Sequence, residues 1–296
     1  MRQADSQNQA ESGPPTPIPV SDRQDPRVAP YTDLRGLYAR ELDRIDRAGR
    51  DWPDLFIAEG GYVVRRLIES AYRVESVLLG PGRFESMAGD LAALGPAVPV
   101  YVASRELIRS ISGVDMHRGV LAAGVRGPGP DVPSMLRAAS ACVVLEDVTN
   151  HDNIGGIFRS IGALCGKDAC VLLAGNSADP LYRKSIRVSM GQALRVPWAT
   201  LDDLPGSGMD LLRTHGFEPI AMTPAEGSED LYSFEPMPGS RPAVLLGAEG
   251  PGLSENTLTS ASRRVRIPID PQADSLNVYV SGSIALSRLV RPFGAR

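Results

Sequence analysis

A chain of 296 residues, 43% hydrophobic and 22% charged, has the make-up of an ordinary globular protein with room for two domains and a sizeable core. A formal charge of −4 removes any global electrostatic argument for nucleic acid, and no apolar run approaches the roughly 20 residues of a membrane span, so neither secretion nor membrane insertion is expected. Cys142, Cys165 and Cys170 stand at no metal-ligand spacing among apolar neighbours, which predicts reduced, buried thiols in a cytoplasmic protein and no metal site.

Residues 1–30 hold six prolines and no aromatic residue, too little apolar surface to offset the entropy of ordering, and are expected to form a disordered tail. A polar helix is predicted next, over 31–52, with Leu34, Leu37, Leu42 and Ile45 near one stripe. From 53 to 125 the pattern alternates: strands at Phe56–Ile57, 74–79, 98–103 and 120–125, and helices around 63–71, 84–94 and 104–111. That is a small α/β domain. Residues 126–135, opening with Arg126-Gly127-Pro128-Gly129-Pro130, read as a linker. Strand-like runs then recur over 136–296, at 141–146, 169–174, 194–199, 218–222, 243–246 and 265–269, with helical patterns between most of them. This predicts a parallel sheet covered on both faces.

Three stretches of this second domain could carry chemistry. NHDNIGGIFR, Asn150 to Arg159, is a polar strand end followed by a helix expected to begin near Gly155 and Gly156. LLGAEGPGLS, Leu245 to Ser254, is a strand, a glycine turn and a helix start; its glycines admit a ligand to the backbone, but their spacing is not that of the dinucleotide fingerprint. The third, Ile267 to Leu289, reads as a strand closed by Pro268, a loop with two acids, and an uncharged helix opening at Ser275 whose small residues require close approach of another backbone. Asn277, in its first turn, either fastens the loop or meets a ligand. His151 is a candidate base, though a lone loop histidine is more often incidental, and Glu249 a candidate acid or base, though more often a holder of backbone amides. The acid-free run with Arg183, Lys184, Arg187 and Arg195 is either an anion-binding face or a solvated helix face.

Taken together, NxxNIGGIFR, LLGAEGPGLS, and IPI followed by SLNV resemble the three motifs of the SpoU (TrmH-like) RNA ribose methyltransferases of the SPOUT superfamily. Gly247 stands 20 residues before Ile267, and Ile267 nine before Leu276, in keeping with that family. Asp179 to Trp198 looks like the family's stretch around a Ser-Met-Gly turn, and Leu55 to Gly124 resembles, less specifically, its L30e-like substrate-binding domain. The resemblance implies an α/β fold whose C-terminal parallel-sheet SPOUT domain, 136–296, carries a deep trefoil knot, beside a smaller N-terminal L30e-like α/β domain. It implies S-adenosylmethionine as cofactor, held by backbone at Gly247, Ile267 and Leu276 with Leu246, Gly250 and Ile269 around it. It further implies a homodimer with sites shared between subunits, and methyl transfer to a ribose 2′-hydroxyl of RNA. Ribosomal RNA is the expected substrate, with transfer RNA or a non-enzymatic RNA-binding role as alternatives. Arg159 is carried over as the catalytic arginine, with Asn153, Glu249, Ser275 and Asn277 as the matching polar residues. A nucleotide-dependent oxidoreductase is disfavoured by the glycine spacing.

Overall fold

The computed structural model describes residues 15–34, 54–114 and 119–290. The chain divides into two compact units, 1–127 and 128–296. Unit 1 contains β1 (Pro17–Pro19), β2 (Leu55–Glu59), α1 (Gly61–Ile68), β3 (Arg73–Leu79), α2 (Pro81–Ser86), α3 (Ala88–Ala92), β4 (Val100–Val102), α4 (Arg105–Ser112) and β5 (Val120–Val125). Its five strands form a mixed sheet in the order β1-β4-β3-β5-β2, with β5 antiparallel to both β2 and β3.

The expected tail is corrected over residues 15–30, and residues 1–14 lie outside the described ones. Pro17–Pro19 adds a parallel strand to β4, and Pro26–Tyr31 is a 3-10 turn opened by Asp25, whose side chain accepts from Arg27 N at 3.0 Å. Proline is tolerated at a sheet edge, where its missing N–H costs no ladder bond. Val20, Val28, Tyr31 and Leu34 are buried with Tyr101, Ile108 and Ile111, and the Tyr31 hydroxyl meets Ser76 Oγ at 2.7 Å. A few anchors therefore order a segment whose average composition is that of a disordered one. Of the polar helix expected over 31–52, Thr32–Leu34 is a turn and the rest falls outside the described residues. The helix expected at 84–94 is two short helices separated at Met87.

Unit 2 contains α5 (Val132–Ala138), β6 (Ala141–Glu146), α6 (His151–Leu164), β7 (Ala169–Ala174), α7 (Arg183–Val188), β8 (Trp198–Thr200), α8 (Gly206–Thr214), β9 (Phe217–Met222), β10 (Glu229–Asp230), β11 (Arg241–Leu246), α9 (Glu255–Ser260), β12 (Arg263–Arg266) and α10 (Val278–Leu289). All neighbours in its seven-stranded sheet, order β10-β12-β9-β11-β6-β7-β8, are parallel. The central strands are buried along their whole length, as near-continuous apolar runs such as ACVVL and ACVLLA require.

Three boundaries differ from the sequence expectation, each for a local reason. The linker ends early, because Asp131 caps α5 by accepting from Ser134 N at 2.9 Å and Pro133 sits in the first turn. The strand expected at 194–199 is instead a 3-10 turn at Gln192–Leu194 and a strand that starts only after Pro197. The strand expected at 265–269 runs from Arg263 to Arg266 and leaves the sheet before Pro268, which has no N–H to pair. The two-residue β10 carried no recognisable pattern.

The β11–β6 register pairs Leu246 with Leu145 and β11–β9 pairs Leu245 with Ala221. The chain after β6, β9 and β11 thus emerges at one edge, the carboxyl end of a parallel sheet, where open α/β folds place ligands.

Candidate active site

Glycine and amide chemistry build the site. After β11 the chain turns at Gly247, and Gly250 and Gly252 adopt φ of 92° and 76°, conformations that favour glycine. Gly252 N donates to Ala248 O at 3.0 Å, folding the loop onto itself, and a Cβ on Gly247 would collide with the backbone of Gly252 and Leu253. Below the loop, the buried Glu146 at the end of β6 accepts from Ser254 N at 3.0 Å, Ser254 Oγ at 2.9 Å and Thr257 Oγ1 at 2.8 Å. One carboxylate therefore pins the start of α9, and with it the far end of the glycine loop, to β6. Sequence reasoning missed Glu146; its signal was an acid closing an otherwise apolar strand.

Helix α6 supplies the next piece. It begins at His151, capped by Asn150 Oδ1 accepting from Asp152 N at 2.8 Å, which corrects the expected start near Gly155. Gly155 and Gly156 lie inside the helix, where each costs about 1 kcal/mol relative to alanine. Both are needed for packing: a Cβ on Gly155 would stand 2.6 Å from Val188 Cβ, and one on Gly156 2.7 Å from Tyr279 Cγ. The small residues of α10 serve the same closeness, since Gly282 faces Leu246 Cδ1 and Ser283 Oγ meets Ser160 Oγ of α6 at 2.6 Å. The cap of α10 is Asn277, whose Oδ1 accepts from Tyr279 N at 2.9 Å; Ser275, expected to open the helix, is exposed in the preceding loop.

Loop and helices meet in an amide–carboxylate network. Asn153 Nδ2 donates to Glu249 Oε1 at 2.6 Å, and Asn277 Nδ2 donates to the same oxygen and to Asn153 Oδ1, both at 3.0 Å. Asn153 is buried, and both ends of its amide are engaged. Glu249 therefore binds side-chain amides rather than the backbone amides expected of it. The network ties the three motif stretches together.

Beside it opens a cavity of about 630 Å³. Of the predicted residues, Leu246, Gly247, Glu249, Gly250, Ile267, Ile269, Ser275, Leu276 and Asn277 all line it. Asn153 stands behind the wall through its hydrogen bonds. Arg159 is not among the lining residues: it lies further along α6, exposed, with no hydrogen bond or ion pair among the described residues. Thr223 and Pro224, after β9, and Glu255 also line the cavity, and sequence reasoning did not single them out. Among the described lining residues there are two carboxylates, Glu249 and Glu255, and no basic side chain.

His151 is buried against Tyr182, with ring centroids 4.2 Å apart, rather than facing the cavity. Burial, aided by the Lys184 charge and opposed by Asp152, lowers its pKa from 6.5 to about 4. The unfolded chain thus takes up a proton that the folded chain refuses, so stability is full above about pH 6.5 and falls as pH drops toward 4. We expect this group to cost about 2 kcal/mol between pH 7.5 and 5. Urea unfolding at both pH values checks it: His151→Gln should lose less stability than the parent over that interval, and an equal loss would contradict the assignment.

Burial also raises the Cys142 thiol, which pairs in register with Cys170 across β6 and β7, and lifts Cys165 to about 11; all three cysteines are free and buried. Among the described residues no cluster of His, Cys, Asp or Glu could hold a metal ion, and no helix is long and apolar enough to cross a membrane.

Comparison with known proteins supports the same family. An uncharacterized tRNA/rRNA methyltransferase of Mycobacterium tuberculosis is 38% identical over 273 residues, 92% of this chain and 91% of that protein. The 23S rRNA (guanosine-2′-O-)-methyltransferase RlmB of Yersinia pestis is 28% identical over 250 residues, covering 81% and 98% of the two chains. An AdoMet-bound rRNA methyltransferase from Sinorhizobium meliloti shares the fold, with a TM-score of 0.73 over 92% of this chain and 97% of that one, at 21% identity. The sequence model of the SpoU rRNA methylase family matches residues 140–287, which hold the glycine loop, the amide network and most of α10, and the chain belongs to that family.

Proposed function

We propose that this protein transfers a methyl group from S-adenosylmethionine to a ribose 2′-hydroxyl of ribosomal RNA. The observation that carries the reading is the convergence of the Gly247–Gly252 loop, Ile267, Ile269 and Leu276 on one cavity closed by the Asn153–Glu249–Asn277 network. The cavity fits the cofactor in size, since small-molecule sites span about 300–1,000 Å³. It fits in charge as well: two carboxylates and no basic side chain suit a cationic sulfonium and oppose the pyrophosphate of a dinucleotide, the oxidoreductase alternative. Family membership and the RlmB relative support the RNA substrate and the 2′-hydroxyl target.

When bound, S-adenosylmethionine supplies an electrophilic methyl group on its sulfonium. Gly247, Ile267 and Leu276 would hold it through backbone groups, with Leu246, Gly250 and Ile269 as the surrounding wall. The network fixes Glu249 and Asn277 at the rim, so their polar groups are oriented before substrate arrives. Arg159 binds the phosphate next to the target ribose and stabilises the oxyanion that develops as the hydroxyl loses its proton; a guanidinium stays charged and is no ordinary base, so the proton passes to a phosphate oxygen or water. Its position away from the cavity supports a homodimer in which Arg159 of one subunit serves the cavity of the other. The close packing of α10 against α6 and Leu246 supports a threaded, knotted C-terminus, and the buried free thiols suit the reducing cytoplasm.

The test is transfer of labelled methyl from S-adenosylmethionine to total RNA from cells lacking this gene. We expect label in a 2′-O-methyl nucleoside of ribosomal RNA. Label in RNA of transfer-RNA size would move the substrate assignment, label on a base would overturn the ribose assignment, and no label on free RNA or ribosomal particles despite cofactor binding would favour a non-enzymatic RNA-binding role.

A further inference from the structure

Outside the cavity, α6 and the segment 183–195 run in step. Lys184 Nζ lies 2.7 Å from Asp152 Oδ2, a Cβ on Gly155 would meet Val188, and one on Gly162 would meet Gln192. Contacts thus advance together along both segments, and the last two are separated by about 10 Å of helix rise. Arg159, four residues after Gly155 and three before Gly162, lies on the side of α6 that those glycines share, in the turn between them. Arg187, three residues after Lys184, continues the Lys184 side of α7, and Arg195 follows the 3-10 turn Gln192–Leu194.

Arg159, Arg187 and Arg195 are all exposed, and none has a hydrogen bond or ion pair among the described residues. The acid of α6, Asp152, is taken up by Lys184, and residues 180–201 contain no Asp or Glu. The result is a local, uncompensated positive strip on a protein whose net charge is −4. A solvated helix face would be expected to carry charges of both signs, as the surface of an ordinary domain does. A single small anion would need its cations converged on one point, whereas these arginines stand at successive positions along two segments that run in step. A chain of phosphates suits cations set out along a line, and the planar guanidinium fork matches phosphate oxygens.

We infer that Arg187 and Arg195 continue from Arg159 as a track for the phosphodiester backbone beside the methylated nucleotide. The inference rests on the proposed function in taking RNA as the ligand, and it gives a globally acidic protein a local means of holding it. Neither residue lines the cavity, so the track acts on RNA and not on the cofactor.

RNA retention on filters, measured across roughly 50–200 mM salt, tests it with the full-length protein and ribosomal RNA as the probe. Arg187→Gln/Arg195→Gln should weaken binding on the order of tenfold at the low-salt end and lower the slope of log K against log salt by about 1.4, the counterions of two single-strand phosphate contacts. Arg187→Lys/Arg195→Lys should keep the slope, and both doubles should bind S-adenosylmethionine like the parent, which controls for folding. In methyl transfer the loss should lie in KM for RNA. A parent that methylates RNA with an affinity and salt slope shared by the glutamine double overturns the track and leaves the function standing. A parent that binds RNA, loses that slope in the double, yet transfers no methyl does the reverse. No RNA binding by the parent overturns both.

Discussion

Arg159→Ala should reduce methyl transfer to RNA by about a hundredfold to a thousandfold, the range found when a preorganised donor to a developing oxyanion is removed. The fold should not register the change. Arg159 is exposed and bonded to nothing among the described residues, and surface substitutions of that kind shift stability by about 0.5 kcal/mol or less. Affinity for S-adenosylmethionine should stay within about twofold, because the residue lies outside the cavity lining. Titration of cofactor binding, thermal melting and turnover on one preparation separate the three effects. Arg159→Lys keeps the charge but loses the planar fork, and should recover no more than about a tenth of the activity if bidentate phosphate contact matters. Turnover near the parent level in the lysine variant would show that a point charge suffices, and in the alanine variant would remove Arg159 from the mechanism.

Gly247→Ala should abolish measurable binding of S-adenosylmethionine, a weakening of at least about a hundredfold, and lower the melting temperature as well. Its Cβ would run into the backbone of Gly252 and Leu253, so no side-chain rotation relieves the clash. The loop is also held from both ends: Gly252 N donates to Ala248 O, and Ser254 and Thr257 are bound to Glu146. Opening the turn therefore means moving the start of α9 off a buried carboxylate. Gly250→Ala is the informative contrast. That residue has φ of 92° but nothing within 4 Å of an added Cβ, so it should suffer only backbone strain of about 1–3 kcal/mol. Calorimetric titration with S-adenosylmethionine should rank the parent above Gly250→Ala, and Gly250→Ala above Gly247→Ala. The opposite order would place the close approach at the wrong glycine.

Both expectations depend on residues legible in the amino-acid sequence and on neighbours that were not. Ala141–Glu146 and Ala169–Ala174 were readable to the residue, because a strand buried on both faces is a continuous apolar run wherever it occurs. The glycine turn and the amides of Asn153 and Asn277 were readable as sites, because such groups are costly unless a tight turn or a partner uses them. The identity of the partner was another matter. That Asn277 caps α10 and also bonds Glu249 and Asn153, 28 and 124 residues away, depends on three segments arriving at one place. Composition averaged over residues 1–30 likewise hid the few side chains, Val20 and Val28 among them, that together with Tyr31 seat the N-terminal strand and turn.

The sequence by itself determined the alternation of strands and helices, the family motifs and the residue types available for chemistry, since these follow from local periodicity and from the cost of burying polar groups. Tertiary structure alone decided which of those residues share a cavity, which carboxylate pins the glycine loop, and that Arg159 stands outside that cavity. The physical reason is that hydrogen bonds and close packing act over a few ångströms of space, whatever number of residues separates the partners along the chain.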